Sequence, residues 1–134
     1  MDEFLVKVLV IDDDSSVLFL HKIIIKSENL HPSPLTFSNP EKGLEFILQN
    51  DSKGSKMLIF LDINMPRLSG WELLDQLESQ ITQADVKVIM VTSSLDKKDR
   101  EKANNYDFVI DFWEKPLDDQ NISELKERLG DWLI

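Results

Sequence analysis

Lys7-Val8-Leu9-Val10-Ile11-Asp12-Asp13-Asp14, a run of branched apolar residues that stops at three carboxylates, decides how this chain is read. The same shape recurs twice. Leu58-Ile59-Phe60-Leu61 stops at Asp62, and Val88-Ile89-Met90-Val91 stops at Thr92. A fourth run, Phe108-Val109-Ile110, leads through Asp111-Phe112-Trp113-Glu114 to Lys115-Pro116. Short branched runs bounded by polar residues read as strands buried on both faces, and hence as a parallel sheet covered by helices. In such sheets the carboxyl ends of the strands share one edge, where ligands bind. Several carboxylates, a hydroxyl and an amine are therefore expected to meet there.

The segments between the runs have helical spacing, and each opens on a plausible cap. Ser15 or Ser16 precedes a face of Val17, Leu20 and Ile24; Asn39-Pro40 precedes Leu44, Ile47 and Leu48; Ser69 precedes Leu73, Leu74 and Leu77. Asp118 or Asp119 opens a last helix with Ile122, Leu125, Leu129 and Trp132 on one stripe. With Pro34-Leu35-Thr36-Phe37 as a weaker second strand, strand and helix alternate five times. That alternation predicts an α/β fold, a doubly wound five-stranded parallel sheet built from right-handed crossovers. From Asp96 to Tyr106 only Ala103 and Tyr106 can pack, so the fourth helix should be the least firmly held.

Bulk composition narrows the function. The 134 residues fit a single domain, 1–134, and 42% hydrophobic with 30% charged residues is ordinary globular composition. A formal net charge of −10 argues against nucleic acid and against an anionic membrane surface as partners. Cysteine is absent, which excludes disulfides and thiolate metal sites. Met1-Asp2-Glu3-Phe4 lacks the basic start of a signal peptide, and the apolar runs are too short to span a bilayer. A cytoplasmic location is the expectation.

Hard oxygen ligands suit Mg²⁺, which commonly takes one or two carboxylates together with substrate phosphate oxygens. Asp12, Asp13 and Asp62 would supply them. A carboxylate can also be a nucleophile and form an aspartyl phosphate, provided that metal and fixed cations neutralise the transferring group. Lys115 would be the fixed cation, and the Thr92 hydroxyl can hydrogen-bond a phosphate oxygen.

These residues resemble those of the bacterial two-component response-regulator receiver domain over nearly the whole chain. The matching segments are Lys7 to Asp14, Leu61-Asp62-Ile63-Asn64-Met65-Pro66-Arg67-Leu68-Ser69-Gly70, Met90-Val91-Thr92-Ser93-Ser94 and Glu114-Lys115-Pro116-Leu117. The resemblance implies a flavodoxin-like sheet in the order 2-1-3-4-5. It also implies that Asp12 and Asp13 position Mg²⁺ with Asp62 and the Asn64 carbonyl, and that Asp62 accepts phosphoryl from a histidine kinase. Thr92 and Lys115 would bind the phosphoryl group, Phe112 would be the switch aromatic, and Lys115-Pro116 would be cis. The expected protein is then a stand-alone, chemotaxis-regulator-like switch that catalyses at most its own phosphorylation and dephosphorylation. Its partners would be a sensor histidine kinase or histidine phosphotransfer protein and a downstream protein that reads the surface of the fourth helix, fifth strand and fifth helix.

Singly, each residue has a duller explanation: a helix cap for Asp13 or Asp14, a strand residue for Thr92, a surface charge for Lys115, a turn for Gly70. Their coincidence at four strand ends favours the site. His21 and His31 lie near no strand end and read as solvated or structural, and Trp71 and Trp132 as packing residues. Ala103-Asn104-Asn105-Tyr106-Asp107 departs from the small, Gly-containing segment usual in the family, and Asn could supply the left-handed conformation Gly would give. Two other functions compete. One is a haloacid-dehalogenase-type Mg²⁺-dependent phosphatase with Asp12 as nucleophile and Asp14 as second acid; the other is an interaction domain that does not depend on phosphorylation.

Overall fold

The computed structural model describes residues 6–93 and 96–133; Met1 to Phe4, and Ser94 of the Met90 to Ser94 segment, lie outside the described residues. The apolar runs form strands β1 (Val6–Ile11), β3 (Lys56–Asp62), β4 (Asp85–Thr92) and β5 (Val109–Glu114), with a short β2 (Leu35–Phe37). All pair in parallel, in the order β2-β1-β3-β4-β5. Side chains of a strand alternate between faces, so each central strand feeds two cores. Leu9, Ile11, Ile59, Leu61, Val88 and Met90 go to one layer, and Val8, Val10, Leu58, Phe60, Ile89 and Val91 to the other.

Helices α2 (Pro40–Gln49), α3 (Gly70–Gln80) and α4 (Lys97–Ala103) cover the first layer; α1 (Ser15–Ser27) and α5 (Asp119–Leu129) cover the second. Three caps are as expected. Asn39 caps α2 ahead of Pro40, Asp118 caps α5, and Ser69 forms a reciprocal capping box with Glu72 on α3.

Helix α1 differs in two ways. Its N-cap is Asp14, whose Oδ1 accepts from the Ser16 amide at 2.9 Å and the Ser16 hydroxyl at 2.6 Å, so the serine is donor and not cap. Its buried face is Leu18, His21 and Ile25, one residue round from the expected face. Leu20 is 42% exposed, beside Phe19 at 68% and Ile23 at 46%. A helix apolar on nearly every side carries too little periodicity to fix its rotation.

β5 continues past its apolar start to Glu114, and its register against β4 shifts by one residue, Val88 pairing with Val109 but Ile89 with Asp111. The bulge decides which way the end of the strand points. Phe112 joins the α2-α3-α4 layer and Trp113 the α1-α5 layer. Asn104 has φ −66°, so the left-handed conformation foreseen for the Asn104-Asn105 segment is not used; among the described residues other than Gly it occurs at Asn29 and Arg67.

α4 buries only Ala103. Cations make up part of the deficit: the Arg100 guanidinium lies 5.7 Å from the Phe112 ring centre and the Lys102 ammonium 4.9 Å from Trp71. Beyond the helix, Tyr106 stacks on Trp71 at 5.8 Å and donates its hydroxyl to Asp75 at 2.8 Å.

Gly70 is the first residue of α3, and its amide donates to the Ile63 carbonyl at 2.8 Å. A Cβ there would run into the Asp62 carbonyl oxygen and the Ile63 Cα, both backbone atoms. Close approach, not a turn, therefore demands glycine. Gly70→Ala should cost about 1–3 kcal/mol of stability, the usual range for overpacking, read by urea unfolding; an unchanged midpoint would show that the loop after Asp62 yields freely.

Candidate functional site

Three strand ends and one loop build the site. Ile11 and Leu61 are partners across β1 and β3, so the next residues, Asp12 and Asp62, emerge side by side. The Asp12 amide donates to the Phe37 carbonyl at 3.1 Å, which ties it to β2. Thr92 ends β4 opposite Glu114, and the Lys115 amide donates to the Thr92 carbonyl at 2.7 Å. Lys115-Pro116 is a cis peptide, as expected.

The Lys115 ammonium reaches back across the sheet edge to Asp12 Oδ2 at 2.6 Å and Asp62 Oδ1 at 3.1 Å. Asp12, Asp62 and Thr92 are buried, each 4% exposed or less. Asp13 stays at the surface, but its carboxylate, with those of Asp12 and Asp62, offers ligand atoms all within 4.8 Å of one another. Asn64 lies two residues past Asp62, exposed.

Charge is not balanced here. Three carboxylates against one ammonium leave −3 + 1 = −2 when all are ionised. Burial, and next the charge of Asp12, push the Asp62 carboxyl up to about 6 from 3.8, with Lys115 holding it back only in part. Burial alone would weaken the charged form of Lys115, but its hydrogen bond to Asp12 and the charge of Asp62 raise it above its ordinary value. The two directions are consistent, because one cation serves several anions and Asp12 holds the shorter contact. Asp62 keeps the deficit. A divalent cation matches both the charge and the all-oxygen donor set, and among the described residues no His joins these three carboxylates in a cluster.

Asp14 is not part of this group. Its carboxylate is spent on the first turn of α1, accepting also from the Val17 amide, and those bonds lower its pKa. The phosphatase alternative calls for Asp14 as the second acid beside Asp12, whereas this carboxylate is turned to the start of α1. Both Asp12 oxygens are also engaged, Oδ1 by the Asp14 amide at 2.9 Å and Oδ2 by Lys115.

Sequence reasoning missed the place of His21. Among the described residues four polar or charged side chains are buried, Asp12, Asp62, Thr92 and His21, and the last comes from α1, far from any strand end in sequence. The visible signal was its spacing from Leu18 and Ile25 on one helical face. His31 Nδ1 accepts from the Ser33 amide at 2.9 Å.

The family model described as the response regulator receiver domain matches residues 8–127. Among curated proteins, the two-component response regulator ARR22 of Arabidopsis thaliana is 32% identical, the match covering 95% of this chain and 85% of that protein. The transcriptional regulatory protein DcuR of Escherichia coli strain K12 is 30% identical over 96% of this chain. The chain spans about half the length of DcuR, 50%, and 16% of a further match, the response regulator ARR12 of Arabidopsis thaliana. Among solved structures, a two-component response regulator from Cytophaga hutchinsonii superposes with TM-score 0.82 at 29% identity, covering 92% of this chain and 96% of that one. Among the described residues no helix is long and apolar enough to cross a membrane.

A carboxyl whose pKa is raised on folding binds its proton more tightly in the folded state, so its contribution is largest below the unfolded value and is lost as pH rises through the folded one. For Asp62 that window runs from 3.8 to about 6. The metal-free protein should lose on the order of 2–3 kcal/mol through this group between those limits. Asp62→Asn should flatten the slope and be the more stable protein at neutral pH, as measured by urea unfolding in chelator. A wild-type slope retained in the variant would place the titration elsewhere.

Proposed function

The chain belongs to the response regulator receiver domain family, and we propose that it works as a phosphoacceptor, taking a phosphoryl group onto Asp62 from a histidine kinase or a histidine phosphotransfer protein. The observation that carries the reading is the bridging ammonium: Lys115 already contacts the carboxylate that would accept the group and the one beside it. In the transfer an Asp62 oxygen attacks phosphorus, the P–O bond forms as the P–N bond to imidazole breaks, and the electron pair leaves with the imidazole nitrogen. Lys115 would turn from carboxylate to phosphoryl oxygen, and the Thr92 hydroxyl would bind another.

Asp12 and Asp13, with Asp62 and the Asn64 carbonyl, would hold Mg²⁺. Bound there, the ion would neutralise charge on the transferring group. No small molecule is turned over, since the protein is its own substrate. The region 1–134 is read as one receiver domain, and the whole-protein activities of its longer relatives are not carried over.

The signal would pass from Thr92 to Phe112 and on to α4, β5 and α5. A groove of about 260 Å³ between α4 and β5, lined by Arg100, Ala103, Asn104 and the Val109 to Phe112 strand, is a surface a downstream protein could read. α4 supports this role because its hold is sparse.

Intact mass after incubation with acetyl phosphate and Mg²⁺ should show one added phosphoryl, mapped to Asp62 and absent from Asp62→Asn. Label on another residue would overturn the assignment. Mg²⁺ should stabilise the unphosphorylated protein by about 2.7 kcal/mol at a hundred times its dissociation constant. Asp13→Asn should stabilise the metal-free protein and blunt that response; a destabilised variant with full response would contradict the acidic site.

With beryllofluoride as phosphoryl mimic, hydrogen exchange should change most in residues 96–113, and Thr92→Ala should uncouple that change from binding. Changes confined to the Asp12 and Asp62 loops would sink the route through α4.

A further inference from the structure

His21 is 1% exposed, and its imidazole Nε2 lies 3.3 Å from the Leu117 amide nitrogen, whose N–H it accepts. That amide belongs to the turn carrying Lys115. The turn has only two amide hydrogens to place, because Pro116 has none. The Lys115 amide goes to the Thr92 carbonyl at 2.7 Å, and the Leu117 amide goes to His21. Leu117 is itself 2% exposed, so its N–H is cut off from bulk water and needs a protein acceptor. One end of the turn is thus tied to β4 and the other to α1.

An Nε2 that accepts bears no hydrogen, so the neutral ring carries its proton on Nδ1. Burial keeps the ring neutral by lowering its pKa to about 4, against the charge of Asp12, which acts the other way. At neutral pH His21 is therefore an acceptor.

We infer that His21 is a positioning residue: by accepting the Leu117 amide it fixes the Lys115-Pro116-Leu117 turn, and through the turn it holds the Lys115 ammonium over Asp62. The inference rests on the phosphoacceptor reading for its kinetic consequence, but not for its structural one. The apolar side chain of Leu117 also seats the turn, in the layer of α1 and α5. Side-chain burial fixes depth, whereas the hydrogen bond fixes direction, and direction is what aims an amine.

The test compares His21→Leu, which removes the acceptor at similar size, with His21→Gln, whose amide oxygen reaches the Nε2 position. Hydrogen exchange at the Leu117 amide should be roughly tenfold faster in His21→Leu, the effect of one lost hydrogen bond, and near wild type in His21→Gln. Labelling of Asp62 by acetyl phosphate with Mg²⁺ should slow roughly three- to tenfold in His21→Leu and be restored in His21→Gln. In a Lys115→Met background, His21→Leu should cost nothing further, because the group it positions is gone.

Unchanged Leu117 exchange in His21→Leu would overturn the inference. So would a labelling loss that persists undiminished with Lys115→Met, since His21 would then act on the fold at large. If His21→Leu does not fold, His21→Asn takes its place, its shorter amide falling short of Nε2. If the wild type takes no label, the phosphoacceptor reading fails, and Leu117 exchange alone decides the role of His21.

Discussion

The ammonium of Lys115 is shared between Asp12 and Asp62, and the remaining architecture can be understood as the means of holding it there. Two carboxylates side by side at the end of a buried sheet repel each other, and each loses solvation. A single flexible lysine on the surface could not repair this, because the entropy of fixing it would consume most of the gain. This lysine follows a strand that pairs with the strand ending in Thr92, and its own amide is bonded to the Thr92 carbonyl. The backbone thus bears the cost of placing the cation. Even so the cluster stays short of positive charge, and the Asp62 carboxyl, with the longer contact to Lys115, is pushed above its ordinary value by burial and by the charge of Asp12. A cluster in that condition calls for further positive charge.

Much of this was legible in the sequence because parallel α/β folds convert strand ends into neighbours. Once Ile11, Leu61 and Val91 are recognised as strand residues near their ends, the meeting of Asp12, Asp62 and Thr92 follows from topology without side-chain detail. What the sequence did not disclose depends on rotation and register. α1 is apolar on nearly every side, so its pattern pointed to Val17, Leu20 and Ile24 while the molecule buries Leu18, His21 and Ile25. The role of His21 was hidden with that rotation. The extension of β5 through Asp111 was obscured by a charged residue in mid-strand, which the structure pairs with Arg128 at 3.0 Å. Asp51 is a third case. Its carboxylate accepts the amides of Thr82, Gln83 and Ala84, three successive donors thirty-odd positions away, and nothing local in the sequence announces them.

Like the central strands, β5 serves both layers, and its bulge sets which residue faces which. Phe112 packs in the layer of α2, α3 and α4, under Arg100 of α4, and its neighbour Trp113 packs on Phe60, ring centres 5.9 Å apart, in the opposite layer. Lys115 lies just beyond both. The loop that carries the lysine is therefore joined through one short segment to both helical layers. Tethering the far side of that loop to α1 restricts its freedom on the side away from Phe112.

The way α4 is fastened has a bearing on colloidal behaviour. Elements that move usually do so by peeling an oily stripe off the core, and each excursion then presents a sticky face to neighbouring molecules. α4 has almost no such stripe: Ala103 is its buried residue, and its other ties are an arginine over one ring and a lysine over another. A helix lifted from such a seat uncovers two aromatic faces and little else, while its own underside is already charged. Detaching such a helix would expose less apolar surface, and so favour self-association less, than detaching one held by an oily stripe.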